Sequence, residues 1–150
     1  MLDQYGTQPD FIFSRDSLAL ACTRAREAIV SNFSELLNSW EITEQQWRII
    51  RILHDNKKLS LTDLCKESCI HKASMTRIIA NLMDKGWIYR EKDRSDSRSI
   101  MVSLTEAGEK FAMEGKEIGN QIYADIYKKY GYQKTKLLLE MLNDLESVRK

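Results

Sequence analysis

The side chains able to do chemistry in this sequence are mainly arginines and lysines rather than catalytic or metal-binding groups. The chain holds only two histidines, His54 and His71, and three cysteines, Cys22, Cys65 and Cys69. It contains no Ser/His/Asp arrangement, no metal-ligand spacing and no glycine-rich phosphate loop. We therefore expect no enzymatic activity, no cofactor and no bound metal.

The basic side chains are concentrated in the middle of the chain. Residues 57–98 hold ten lysines and arginines against six acidic residues, whereas the formal net charge of the whole chain is only +1. A basic segment in a nearly neutral protein is typical of a phosphate-binding surface. Charge alone is equally compatible with a solvated surface of uneven charge.

The composition favours one globular chain in the cytoplasm. Hydrophobic residues make up 43% and charged residues 30% of the 150 residues, which is a globular balance. No apolar run is long enough to span a bilayer, and the first residues lack the pattern of a signal peptide. An odd number of cysteines without framework spacing argues against a secreted, disulfide-stapled fold.

Helical periodicity dominates the first third of the chain. Apolar residues recur at steps of three and four over 16–39, and a break follows near Trp40. Thr43 and Gln46 then form a capping-box pattern, which predicts a helix reaching about residue 56. Residues 1–13 form a short arm that is either frayed or held against a partner.

Two short helices are predicted next. The first begins after Ser60 and ends near Ser68, and the second runs over about 72–85 after a brief turn. Gly86 stands at the position where a left-handed residue commonly ends a helix.

A hairpin and two further helices complete the chain. The β-rich segments 87–90 and 100–104 flank nine polar or charged residues, which is typical of a hairpin with a charged tip. Thr105 caps a long helix that Gly131 ends, and a final helix begins near Gln133. This order predicts a mainly α fold, a winged helix-turn-helix with a small β-hairpin wing.

The second helix of the helix-turn-helix has an apolar face and a small, polar face. The apolar stripe comprises Met75, Ile78, Ile79 and Leu82. The opposite face comprises Ala73, Arg77, Ala80 and Asp84, with Ser74 and Asn81 on its flank. Small residues permit close approach to a major groove, where Arg77 can reach a guanine edge or a phosphate. An ordinary amphipathic helix would show the same pattern.

The charged loop of the hairpin supplies a second basic group. An arginine at a wing tip can enter a narrow minor groove, and Asp96 can orient Arg98 through a charge-assisted hydrogen bond. Combined with the helix-turn-helix, this loop predicts binding to double-stranded DNA. The predicted DNA contacts are Thr62, His71, Lys72, Ala73, Ser74, Arg77, Arg94 and Arg98.

Two motifs resemble the MarR family of bacterial regulators. Residues 73–77 followed by 82–88 resemble the recognition helix of that family and its exit into the wing. Residues 96–98 followed by 102–108 resemble its wing signature. The two motifs stand in the register that the family shows.

The resemblance covers roughly residues 17–148 and departs at Arg94, where many members carry proline. It implies a homodimeric repressor with dimerisation helices at 16–39 and 105–148 and a DNA-binding region at 43–104. Its operator would be pseudo-palindromic, with half-sites about one helical turn, roughly 10 bp, apart. The sequence independently favours a two-fold dimer, since the terminal helices are too apolar for the surface of a small winged-helix unit.

Arg26 lies at the edge of the apolar stripe of the first helix, where a partly buried guanidinium needs an anionic partner. An internal salt bridge to a glutamate, or extension to solvent, would satisfy it equally. Segments 25–28 and 42–53 resemble the subgroup that controls catabolism of aromatic acids, such as homoprotocatechuate and hydroxycinnamate operon regulators. That resemblance implies a small aromatic carboxylate effector, although the aromatic residues would also suit a plain core. The implied effector-site residues are Arg26, Phe33, Trp40, Trp47, Arg48 and His71.

Two alternatives remain open from the sequence. Cys65 and Cys69 lie four residues apart beside the predicted turn, so their oxidation would make a redox-sensing repressor of the same fold. The alternative is that both cysteines are small apolar core residues. The winged helix could also be a protein-interaction module. Binding to DNA through Lys72, Arg77, Arg94 and Arg98 should weaken steeply as salt rises, whereas absence of binding at low salt would exclude the repressor.

Overall fold

The computed structural model describes residues 17–150, so the predicted arm at 1–13 lies outside the described residues. The chain divides between Leu36 and Leu37 into two compact units. The sheet belongs to the second unit, and the helices agree with the predicted segments except for a break in the first unit.

The first unit consists of α1 (Leu18–Val30), a 3₁₀ turn (Ser31–Phe33) and the first residues of α2 (Ser34–Ser39). The sequence predicted one continuous helical pattern here. The break arises because side chains compete for the backbone carbonyls: Ser31 Oγ donates to the Ala28 carbonyl at 2.8 Å, and Asn32 Nδ2 donates to the same oxygen at 2.9 Å.

The second unit contains the remaining helices. They are α3 (Glu44–Asn56), α4 (Leu61–Ser68), α5 (Lys72–Asp84), α6 (Glu106–Tyr130) and α7 (Tyr132–Leu145), followed by a 3₁₀ turn (Glu146–Val148). The predicted caps are confirmed. Thr43 and Gln46 form a reciprocal capping box, and the Thr105 hydroxyl accepts from the Gly108 amide at 3.1 Å. These caps explain why the predicted helix starts agree with the observed ones.

The sheet has three strands, one more than the sequence predicted. Strands β2 (Ile88–Lys92) and β3 (Ile100–Leu104) form the expected antiparallel hairpin. Strand β1 (Lys58–Ser60) pairs antiparallel with the other edge of β3, so the order is β1-β3-β2. A three-residue strand that ends on the cap of α4 is too short to show a period of two, which explains the omission.

The core of the second unit lies between the helix-turn-helix, α3 and the sheet. The fully buried hydrophobic side chains are Ile49, Ile50, Leu53, Leu64, Met75, Leu82 and Val102. They come from α3, α4, α5 and β3, so one core holds the two helices of the helix-turn-helix and the wing in a single geometry. The predicted winged helix-turn-helix is confirmed.

Candidate functional site

The turn between α4 and α5 is held in place by Arg48 of α3. Its Nη1 donates to the carbonyl oxygen of Ser68, the last residue of α4, at 2.7 Å. Its Nε donates to Glu44 at 3.1 Å, so the guanidinium is both paired and hydrogen-bonded. Cys69 follows in the left-handed region at φ 55°, and the buried Ile70 anchors the turn. These contacts determine where α5 begins.

Helix α5 presents the two faces that the sequence predicted. The buried stripe comprises Met75, Ile78, Ile79 and Leu82, and the exposed residues include His71, Lys72, Ala73, Arg77, Ala80, Asn81 and Asp84. Ser74 is half-buried. The exposed surface is therefore small and polar, and its basic residues lie towards the N-terminal half of the helix, where the helix dipole also favours anions.

The wing loop is ordered by its own hydrogen bonds. The Asp93 amide donates to the Ser99 carbonyl at 2.9 Å, which closes the hairpin. The Asp93 carboxylate accepts from the amide of Ser95 at 3.0 Å and from its hydroxyl at 2.9 Å. These two bonds, the backbone one first, lower the pKa of Asp93. The tip is thus a defined turn.

The role predicted for Asp96 requires correction. Its Oδ1 accepts a hydrogen bond from the backbone amide of Arg98 at 3.0 Å, while the Arg98 Nε lies 4.0 Å away, beyond hydrogen-bonding distance. The Arg98 side chain is 95% exposed. Asp96 therefore shapes the loop backbone, because a two-residue Asx turn forms more readily than a contact to a long flexible side chain. It does not orient the guanidinium.

An ion pair spans the sheet at the base of the wing. Lys58 of β1 reaches across β3, and its Nζ donates to Glu91 of β2 at 2.5 Å. This hydrogen bond and the accompanying charge raise the pKa of Lys58 and lower the pKa of Glu91. Both side chains are nearly half exposed, so the pair contributes little to stability.

Predicted DNA contacts from three elements line one cleft. Thr62 of α4, Lys72 of α5 and Arg98 of the wing face a shallow space of about 170 Å³. Two cations at one cleft form an anion-binding arrangement. Arg94 lines a second cleft on the wing of about 430 Å³, with Lys58 and Lys92. His71, Ala73, Ser74 and Arg77 follow along α5.

Four aromatic rings pack together beside α6. Phe111 of α6 stacks on Trp87 with ring centroids 4.1 Å apart, and meets Trp40 at 5.1 Å and Trp47 at 5.9 Å. Trp40 and Trp47 are 5.2 Å apart. Gly115 lies under this cluster, where a Cβ atom would be 2.4 Å from the Trp47 ring. The contact with these rings explains why a glycine occupies this position in the helix.

The six predicted effector residues fall in both units. Trp40 and Trp47 are adjacent in the second unit, whereas Arg48 is engaged at the α4–α5 turn and His71 is exposed just before α5. Phe33 is buried in the first unit.

Arg26, also in the first unit, was predicted to be partly buried. Its side chain is instead 46% exposed and contacts Glu27 at 3.2 Å. The salt bridge to a glutamate that the sequence left open is therefore present.

Sequence reasoning missed Arg51. This residue lies one helical turn after Trp47 on α3, and its guanidinium carbon is 6.0 Å from the centre of the Trp47 ring. Its Nε is buried and has no hydrogen-bond acceptor among the residues that the structure describes. Such a donor is costly unless a further group supplies the acceptor. The i, i+4 spacing of a tryptophan and an arginine was the available signal.

The cysteines differ from the core residues that the sequence allowed as an alternative. Cys22 and Cys69 are exposed, and Cys65 is half-buried beside the cleft of Thr62, Lys72 and Arg98. All three are free thiols. Within residues 17–150, no cluster of three metal-ligating side chains is found, and none of the helices has the length and apolar character to cross a bilayer.

Comparisons with known proteins agree with this geometry. The sequence profile described as the MarR family matches residues 42–100, from the start of α3 to the second strand of the wing. The HTH-type transcriptional regulator FarR of Neisseria gonorrhoeae is 36% identical over 132 residues, which are 88% of this chain and 90% of FarR. The homoprotocatechuate degradative operon repressor of Escherichia coli is 32% identical, over 86% of this chain and 87% of the repressor.

A solved structure extends the similarity to three dimensions. NadR in complex with 4-hydroxyphenylacetate superimposes with a TM-score of 0.82 at 34% identity, covering 95% of this chain and 100% of NadR. Such similarity over nearly the whole length includes the helix-turn-helix, the wing and the flanking helices. The protein is therefore a DNA-binding transcriptional regulator rather than an enzyme, and it belongs to the MarR family.

Proposed function

We propose that the protein is a dimeric repressor that leaves its operator when it binds a small aromatic carboxylate, as a regulator of aromatic-acid catabolism would. The observation that carries the effector assignment is Arg51, whose buried Nε lies beside the Trp47 ring and has no acceptor within residues 17–150. A guanidinium next to two packed indole rings suits a ligand with one carboxylate and one aromatic ring. NadR was crystallised with such a molecule, 4-hydroxyphenylacetate.

The effector site we propose in the second unit comprises Trp40, Trp47 and Arg51. Arg26 and Phe33 of the first unit stay predictions that rest on the family resemblance. Arg48 is better suited to positioning the turn, because its nitrogens already donate to Glu44 and to Ser68. His71 is better suited to the DNA interface than to the effector, since it is exposed directly before α5.

The DNA interface we propose uses α5 in a major groove and the wing in the adjacent minor groove. Thr62, Lys72 and Arg98 share one cleft, so they can contact a single stretch of backbone phosphates. Arg77 has an exposed position from which to read a base edge, and Arg94 and Arg98 extend from the wing. Ala73 leaves room for close approach, and His71 and Ser74 lie beside it.

Dimerisation is supported by apolar surface that a single chain leaves in solvent. Leu18 and Leu20 of α1 are 58% and 50% exposed, and on α7 Leu137 and Met141 are 56% and 52% exposed. Patches of this kind mark protein interfaces. We assign the segments 16–39 and 105–148 to the dimer and 43–104 to DNA. A two-fold symmetric pair of winged helices requires a pseudo-palindromic operator. We place this repressor in the cytoplasm.

The direct test combines a promoter fragment from upstream of the gene with 4-hydroxyphenylacetate. We expect the wild-type dimer to shift the fragment at low salt, to lose affinity steeply as salt rises, and to release it when the acid is added. Calorimetry on Arg51→Ala and Arg26→Ala then identifies the carboxylate partner. An arginine whose removal leaves the affinity for the acid unchanged is not part of the site. Absence of a shift at low salt would refute the repressor.

A redox-sensing repressor is the second candidate, because Cys65 lines the cleft that holds Lys72 and Arg98. An oxidised sulfur there would stand among the proposed phosphate contacts. The Cys65→Ser and Cys69→Ser variants test this alternative. Release of DNA by peroxide that either substitution abolishes would support it, and identical release in both variants and in wild type would exclude it.

A further inference from the structure

The three tryptophans of the chain all contact one phenylalanine. Phe111 lies in the second turn of α6, stacked on Trp87 at an interplanar angle of 12° and set edge-on against Trp40 and Trp47. On one side, Trp47 leads to Arg51, four residues further along α3. On the other side, Trp87 immediately precedes the first strand of the wing. Phe111 therefore contacts both the proposed effector site and the base of the wing.

Trp87 is tied to the wing and to α6 through its backbone. Its carbonyl accepts a hydrogen bond from the Thr105 amide at 2.9 Å, and its amide donates to Leu82, near the end of α5, at 3.1 Å. A Cβ atom at Gly108 would lie 2.0 Å from the Trp87 carbonyl oxygen, so the backbones are in direct contact. The backbone that carries the Trp87 ring is therefore part of the junction between α5, the wing and α6.

The cluster has little space to absorb a displacement. Gly115 allows the Trp47 and Trp40 rings to rest on the α6 backbone, since a Cβ atom there would be 2.4 Å and 3.0 Å from them. Close-packed interiors transmit displacement because they respond by changing between discrete packings. A ligand that moves Trp40 or Trp47 therefore has to move Phe111 as well.

We propose that Phe111 is the positioning residue that couples effector occupancy at Trp47 and Arg51 to the wing of the same subunit. This inference rests on the proposed function and deepens it. The effector and the DNA favour different packings of Trp47, Phe111 and Trp87, and the free energy of each binding event depends on which packing is present. Phe111 touches neither ligand. Its role is visible only in the dependence of one binding event on the other.

The test compares full-length wild-type protein with Phe111→Leu, using 4-hydroxyphenylacetate as the probe. Calorimetry measures affinity for the acid, and fluorescence anisotropy measures promoter affinity with and without saturating acid. We expect both separate affinities to stay within about threefold. The ratio of promoter affinities without and with the acid should fall by about fivefold or more, within the usual size of such couplings. Phe111→Tyr keeps the ring and should retain the ratio.

A second readout distinguishes coupling from a purely structural role. Protein labelled with 5-fluorotryptophan gives three fluorine resonances, which single Trp→Phe variants assign. The acid should shift all three resonances in wild type, but only those of Trp40 and Trp47 in Phe111→Leu. If Phe111→Leu does not fold, Trp87→Leu removes the other ring of the same stack. This variant must then show the same decrease in the ratio of promoter affinities without and with the acid.

The outcomes separate the two hypotheses. The coupling role would be overturned if Phe111→Leu kept the wild-type ratio of promoter affinities without and with the acid. It would also be overturned if the Trp87 resonance of that variant still responded to the acid. Either result would leave the proposed repressor function intact. If wild-type protein binds the acid without losing promoter affinity, or does not bind it, the proposed effector mechanism itself fails and the coupling fails with it.

Discussion

Replacing Arg51 with methionine should stabilise the ligand-free protein, although it should abolish recognition of the carboxylate. The substitution removes a buried Nε that finds no acceptor in the described part of the chain, which relieves about 1–3 kcal/mol. It also removes the contact with the Trp47 ring at 6.0 Å, which is worth about 0.5–1 kcal/mol. The expected net gain is roughly 0–2.5 kcal/mol with a central value of about 1 kcal/mol, which corresponds to a Tm increase of roughly 2–4 °C for a chain of this size.

The assay is thermal unfolding at one fixed protomer concentration, with and without 4-hydroxyphenylacetate. At a hundred times its Kd, the acid should stabilise wild type by about 2.7 kcal/mol. It should leave Arg51→Met nearly unchanged, because the charge-assisted hydrogen bond is lost. The ranking of the two proteins should therefore reverse between the ligand-free and the saturated condition.

Arg48→Met is the matched control, since Arg48 lies on the same helix three residues earlier. Its guanidinium is partnered by Glu44 and by the Ser68 carbonyl, so its removal should destabilise the protein by about 2–3 kcal/mol. The response to the acid should persist in this variant. A lower Tm of ligand-free Arg51→Met than of wild type would refute the reasoning, as would an unchanged stabilisation of that variant by the acid.

Three further predictions concern the wing and its joint with α6. Gly108→Ala should lower the free energy of unfolding, measured in urea, by about 3 kcal/mol, because its Cβ would lie 2.0 Å from the Trp87 carbonyl oxygen. Gly86→Ala, at φ +75° in open space, should lower it by only about 1–2 kcal/mol. Equal losses in the two variants would contradict the steric argument. Arg98→Ala should weaken binding to all DNA sequences and reduce the salt slope by about one; an unchanged slope would remove Arg98 from the interface. Hydrogen bonds within the turn lower the pKa of the folded Asp93 carboxyl below its ordinary value of 3.8. Their contribution to the stability of the wing should therefore be present above that value and be lost as pH falls through the folded pKa. Amide NMR shifts of the wing that change already near pH 6 would contradict this expectation.

Much of the fold could be predicted because the relevant interactions are local in sequence. The capping box of Thr43 and Gln46 joins residues three apart, and the buried stripe of α5 repeats at steps of three and four. Gly86 adopts the positive φ expected after a helix. The residues of the DNA-facing surface were accessible to the same reasoning, because the exposed face of a helix is the complement of its buried face.

The candidate effector site depended on contacts between distant segments. Arg48 and Arg51 lie on one helix, but Arg48 donates both to Glu44 of the same helix and to the Ser68 carbonyl that α4 brings alongside. The buried Nε of Arg51 has no acceptor among the described residues, and only the packing around it reveals this. The partners of Phe111 likewise come from three separate parts of the chain.

The sequence by itself determined the helices, the wing and the polar face of α5, because periodicity and caps act within a few residues. The tertiary structure decided which buried guanidinium nitrogens have a hydrogen-bond acceptor and which aromatic rings are in contact. These partners come from elements that pack together although they are distant along the chain.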